Sequence, residues 1–159
     1  MRELPTRKPN RLKGYDYSQD GYYFITICVK NRHGLLWNPP VGARIARPSL
    51  SDIGEVVKKA IENIPNIYKS ITVNKYTIIS NHIHLILVIC SDHGRAMRAP
   101  TISTIINQMK GYVTKIIGYS IWQKLFHDRI IRNKADYLKI WKYIDENPIR
   151  WEEDCFYQQ

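Results

Sequence analysis

The apolar positions change period along the chain, and the changes mark out strands and helices. Residues 22–29 (YYFITICV) are β-branched or aromatic almost throughout, which predicts a strand apolar on both faces. Residues 38–49 carry Pro39, Pro40, Gly42 and Pro48 and predict a loop. Ser51 then has the character of an N-cap, and Ile53, Val56, Val57, Ala60, Ile61 and Ile64 follow at helical spacing as far as Pro65. Residues 71–79 alternate as a strand, with Ile71, Val73, Tyr76 and Ile78 apolar. Ser80 and Asn81 supply a short turn into residues 83–90, an uninterrupted apolar run, so the two strands predict a hairpin. Residues 101–117 place Ile102, Ile105, Ile106, Met109, Tyr112, Val113 and Ile116 on a helical face that ends at Gly118. Residues 126–131 predict a short strand, and Asn133 caps a last helix over residues 134–147, stopped by Pro148. The order β-α-β-β-α-β-α is the split βαβ, ferredoxin-like pattern. It predicts an α+β domain with an antiparallel sheet and helices on one face, spanning residues 15–159 behind a basic arm at residues 1–14.

That layout serves many functions, so charge has to narrow the choice. The chain has 159 residues, with 24 Lys and Arg against 14 Asp and Glu, a net +10 that favours a polyanionic partner such as nucleic acid. The excess is uneven. Residues 1–14 hold five cations against Glu3, and residues 93–134 hold eight against Asp128, whereas residues 135–159 are net acidic. No apolar run approaches the roughly 20 residues of a membrane helix. The basic leader has no apolar segment, and Cys28, Cys90 and Cys155 form no spaced pair. These features lead us to expect a cytoplasmic, nucleoid-associated protein with no membrane contact.

His82 and His84 are the first candidates for chemistry. Two apart at the start of a strand, they share one face, and two imidazoles side by side suit either a transition-metal ion or a hydrogen-bonded interior pair. In the last helix Tyr137, Ile140, Trp141 and Ile144 gather on one stripe, while Tyr143 and Asn147 lie one turn apart on its flank, with Lys139 a turn before Tyr143. Spacing alone does not single out Tyr143 among 11 tyrosines.

Three blocks in order, SNHIHLIL at residues 80–87, IWQKLFHDRIIR at 121–132 and DYLKIWKYIDENP at 136–148, resemble the single-tyrosine HUH transposases, and within them the REP-associated tyrosine transposases. The resemblance runs from about Tyr22 to Trp151. It implies an HUH-nuclease fold, a His-hydrophobic-His metal pair at His82 and His84, a catalytic tyrosine at Tyr143 and a third metal-site residue at Asn147, where relatives often carry Gln or a carboxylate. It implies Mg²⁺ or Mn²⁺ as cofactor and single-stranded or hairpin DNA as partner, with cleavage at REP-type sites through a 5′-phosphotyrosine, by a monomer or a homodimer. An ordinary phenol is only about one part per thousand ionised at pH 7, so such a site must favour the phenolate.

The residues expected to contact DNA are Arg7, Lys8, Arg11 and Lys13 in the arm, with Lys110, Lys115, Trp122 and Lys124, where cations and aromatics (Tyr112, Tyr119 and Phe126 among them) interleave. Lys139, His127 and Asp128 are candidates for supporting roles, Asp128 being expected to pair with Arg129 or Arg132. Two other readings of the same residues are a catalytically silent DNA- or RNA-binding module and a metal phosphoesterase that uses water.

Overall fold

The computed structural model describes residues 11–39, 48–91 and 99–150. Strand β1 (Gly21–Cys28) is followed by a 3₁₀ turn at Lys30–Arg32, helices α1 (Asp52–Glu62) and α2 (Ile64–Ile67), strands β2 (Ile71–Ile78) and β3 (His82–Ile89), helix α3 (Ile102–Ile117), strand β4 (His127–Ile131) and helix α4 (Lys134–Glu146). The four strands form one antiparallel sheet in the order β2-β3-β1-β4, the expected ferredoxin-like α+β arrangement.

The local signals act as their chemistry dictates. Ser51, Thr101 and Asn133 each accept a backbone N–H from the first turn of the helix they cap. Gly118 ends α3 in the left-handed conformation, φ 94°, that a residue without Cβ adopts cheaply. Pro65 does not end the helical region. It occupies the first turn of α2, where its missing N–H costs nothing. In β2 the apolar phase slips between Val73 and Lys75, and a bulge there restores it, so that Ile71, Val73, Tyr76 and Ile78 all join the main core.

The sheet's two faces are unequal. Tyr23, Ile25, Ile27, Ile83, Leu85, Leu87 and Ile89 pack beneath α1 and α3 in the main core. The opposite face carries a smaller cluster of Ile86, Ile131, Ile140 and Ile144, flanked by Phe24 and Tyr137. Helix α4 therefore lies across the other side of the sheet, which corrects the expectation of helices on one face. Its stripe of Ile140 and Ile144 needs apolar cover, and the main core is already closed by α1 and α3. Cys90, just past the end of β3, is exposed.

Candidate functional site

Antiparallel pairing puts Thr77, His84, Thr26 and His127 in one row across β2, β3, β1 and β4. Along β3, His82 and His84 share a side with Ile86, so both rings stand on the α4 side of the sheet. They are 0% and 1% exposed. His82 Nδ1 lies 2.8 Å from Asn81 Oδ1, and His84 Nδ1 lies 2.8 Å from Thr26 Oγ1. The other two ring nitrogens converge, Nε2 to Nε2, at 3.0 Å. Phe24 stacks on His84 with centroids 5.3 Å apart.

Helix α4 brings the phenol to this pair. Ile140 and Ile144 face the sheet, and the position between them in the helical turn sends Tyr143 over the edge of the cluster. Tyr143 Oη stops 3.3 Å from His84 Nε2, within one chain, while 39% of the residue remains exposed. One turn later Asn147 is buried, its N–H donating to the carbonyl of Tyr143. Thr26, Asn81, His82, His84 and Tyr143, spread over more than 110 residues of sequence, thus meet in one cluster.

The donor set fits a divalent ion. Two imidazole nitrogens converge while each ring's second nitrogen is held by a side chain, the arrangement that orients ligating histidines. Their separation matches adjacent ligands on an ion with bonds of about 2.1 Å. Among the described residues no group of three His, Cys, Asp or Glu could hold a metal by itself. Further positions would then come from Asn147, Tyr143, water or substrate oxygen, as suits Mg²⁺ or Mn²⁺.

Several expected contacts lie elsewhere. Lys110 is buried on α3 and donates from Nζ to the carbonyls of Gln123 and Lys124, so it fastens the loop before β4 and has no face to offer a phosphate. Burial pushes its pKa down. Trp122 is buried in the main core and offers no stacking platform. Phe126 is buried too, but Tyr112 and Tyr119 are exposed. Asp128 pairs in register with Ile25, on the side of the sheet away from the histidines. Its carboxylate lies 3.6 Å from Arg11, not against Arg129 or Arg132. Burial raises its pKa, and Arg11 opposes that shift. Arg129 is held by Asp136 at 2.5 Å. Arg11 also covers the rings of Tyr17 and Phe126, so this end of the arm is bound to the domain. Arg7 and Lys8 lie outside the described residues. Lys13, Lys115, Lys124 and Lys139 are exposed, and His127 is exposed on the same side as the histidines. Gln123 N donates to Cys28 O, opposite His82, which puts Lys124 at the histidine end of the sheet. An open cleft of about 650 Å³ runs along the free edge of β4, with Arg11, Asp128, Arg132 and Lys139 on its walls and none of the histidine-site residues among them.

Two site residues escape the sequence reading. Thr26 is the one non-aromatic polar residue in YYFITICV, and Asn81 reads as a turn residue. Each holds a histidine ring.

The fold is of the kind found in REP-associated tyrosine transposases, as the motifs led us to expect. A REP-associated tyrosine transposase bound to a REP hairpin shares the fold with a TM-score of 0.65 and 22% identity, over 89% of this chain and 74% of that one. A protein of Deinococcus radiodurans R1 assigned as a transposase shares it with a TM-score of 0.50 and 14% identity, over 86% and 95%. The chain belongs to one family with an uncharacterized protein of Haemophilus influenzae, 33% identical over 171 aligned positions that cover 95% of this chain and 93% of that protein. No family model matches it. Among the described residues no helix is long and apolar enough to cross a membrane.

Proposed function

We propose that the protein is a metal-dependent transposase-type nuclease and strand transferase that cuts single-stranded DNA at hairpin-bearing, REP-type sites through Tyr143. The observation that carries this reading is the meeting of a half-exposed phenol with two converging buried imidazoles, Tyr143 Oη standing 3.3 Å from His84 Nε2. The REP hairpin bound by the first structural neighbour and the chain's net charge of +10 support DNA as the substrate.

Tyr143 Oη attacks the phosphorus in line with the departing 3′-oxygen. The new bond is Oη–P, the broken bond is P–O3′, and the products are a 5′-phosphotyrosine and a 3′-hydroxyl. The phenol proton has a direct route to solvent because the residue is partly exposed, and the 3′-oxygen takes up a proton on leaving. His82, His84 and Asn147 would hold Mg²⁺ or Mn²⁺, which would supply Lewis-acid polarisation of the phosphate. Phe24 fixes the plane of His84, and Ile140 and Ile144 fix the height of Tyr143 above it. Because the ester energy is kept on Tyr143, a second 3′-hydroxyl reverses the step and joins strands without ATP. In this reading the exposed Lys124 and Lys139 neutralise backbone phosphates, and the exposed His127 plays a supporting part.

Incubating the full chain with an end-labelled single-stranded hairpin oligonucleotide and Mg²⁺ or Mn²⁺ is expected to give a denaturant-resistant adduct. That adduct should vanish in Tyr143→Phe and His82→Ala. Binding with no adduct on any hairpin substrate would make the protein a silent binding module. Hydrolysis that survives in Tyr143→Phe would make it a phosphoesterase using water.

A further inference from the structure

The hydrogen bonds around the histidines have a direction. Arg32 O is a backbone carbonyl and only accepts, so Asn81 Nδ2, 3.1 Å away, must donate to it. This fixes the carboxamide, and Asn81 Oδ1 must accept from His82 Nδ1 at 2.8 Å. Neutral His82 therefore carries its proton on Nδ1 and turns a bare lone pair at Nε2 toward His84. Two bare nitrogens would repel at 3.0 Å, so without a cation the proton between them belongs to His84 Nε2, and Tyr143 Oη, 3.3 Å from that nitrogen, can then only accept from it. His84 Nδ1 is then bare and accepts from the Thr26 hydroxyl at 2.8 Å. The chain of donation runs from Thr26 through His84, His82 and Asn81 to Arg32.

A cation taken up between the rings needs both Nε2 lone pairs. His82 already offers its own. His84 must move its proton from Nε2 to Nδ1, with solvent carrying the exchange, and then donates to Thr26. A hydroxyl accepts as readily as it donates, so the Thr26 contact survives the reversal. No change in net protonation is involved. The fixed end of the chain is held firmly, since Asn31 and Arg32 both lie in the left-handed region at φ 56° and Val29 N donates to Asn81 O at 2.8 Å. Non-glycine residues adopt that conformation at a cost that surrounding structure must hold in place.

We propose that Thr26 and Asn81 are positioning residues for cation uptake: Asn81 keeps His82 in the ligating tautomer at all times, and Thr26 is the two-way partner through which His84 switches. This rests on the metal-binding part of the proposed function.

The test is ¹⁵N NMR of the histidine rings in the full chain at pH 8, with Zn²⁺ as a diamagnetic probe. The expected result without Zn²⁺ is a proton on Nδ1 of His82 and on Nε2 of His84, and with Zn²⁺ a proton on Nδ1 of both. Thr26→Val, which keeps the shape of the side chain, should weaken Zn²⁺ binding about 10- to 100-fold, the usual effect of losing an outer-shell partner. Thr26→Ser should restore it, and Asn81→Ala should lose the His82 tautomer. The proposal is overturned if His84 already carries its proton on Nδ1 without Zn²⁺, if Thr26→Val binds Zn²⁺ like the parent, or if the histidines do not take Zn²⁺. The expected ring pattern in a protein that never forms a DNA adduct would instead overturn the strand-transfer reading and leave this one standing.

Discussion

Helix α4 carries the proposed nucleophile, yet its buried attachment to the sheet rests on two side chains, Ile140 and Ile144, set against Ile86 and Ile131. Burying each of these isoleucines contributes about 1.5–3 kcal/mol, so the apolar docking of α4 amounts to roughly 3–6 kcal/mol. Ile144→Ala removes most of one contribution and leaves a gap over Ile86. The expected loss is about 2–4 kcal/mol, toward the upper end if the cluster cannot collapse around the smaller side chain. If that loss falls on α4 alone, its amides should exchange with solvent roughly 30- to 700-fold faster while those of β1 and β3 hold their protection. Adduct formation should fall, since the phenol spends less time over the histidines, and Zn²⁺ affinity should fall less steeply, since His82 and His84 stay in place on β3 while Asn147 loosens with α4. Hydrogen exchange read by mass spectrometry or NMR, beside the oligonucleotide assay, measures both. Ile61→Ala in the main core is the control, and should lower protection across the whole sheet. If Ile144→Ala leaves α4 exchange unchanged, or speeds the same amides equally as Ile61→Ala, then α4 is not a separately docked carrier and the reasoning fails.

Other consequences can be checked in parallel. A Cβ on Gly54 would run into the backbone oxygen of Leu36, whereas one on Gly111 would meet nothing within 4 Å. Gly54→Ala should therefore lower the melting temperature through about 1–3 kcal/mol of overpacking, and Gly111→Ala should raise it through about 0.5–1 kcal/mol of helix propensity, an opposition of sign that thermal melts followed by circular dichroism would expose. Asp128 has its pKa raised by burial, so its charge opposes folding. Stability tied to it is complete below the ordinary carboxylate pKa and declines as pH rises through the raised one. Asp128→Asn should thus raise the melting temperature at pH 7 and lose that advantage near pH 4, and equal gains at both pH values would contradict this. Lys124→Ala should weaken single-strand binding and reduce the salt slope by about 0.7, while Lys110→Met should leave the slope unchanged and lower stability by about 1–3 kcal/mol. Filter binding over a salt series separates the two lysines.

The parts of the fold visible in the sequence are those decided by neighbours a few residues away. Ser51, Asn133 and Gly118 act through backbone groups within one turn, so the helix ends they mark could be read directly, whereas Pro65 was misleading at the end of α1. His82 and His84 could be placed on one face for the same reason, because strand geometry orders positions two apart. What depended on packing partners far along the chain was hidden. Nothing local distinguishes Lys110, whose stem is buried and whose ammonium caps two carbonyls thirteen and fourteen residues on, from a solvated helix lysine. Asp128 faces away from the histidines because β4 registers with β1 at Ile25, and no feature within HDRII sets that register. The partners of the two imidazoles come from the turn before His82 and from a strand 58 residues away, contacts that only the assembled sheet creates.

The extra residue in β2 has a reach beyond its own strand. Asn74 sits at the slip between Val73 and Lys75, and its Oδ1 accepts the hydroxyl of Tyr137, while Lys75 beside it takes Asp145 at 2.7 Å and lies against the ring of Trp141. One backbone irregularity thus sets the parity of an outer strand and also provides the mooring for the middle of α4. Lengthening or shortening β2 by a single position would shift that mooring, and the phenol would slide along the sheet relative to the imidazoles although no residue of the site had been touched.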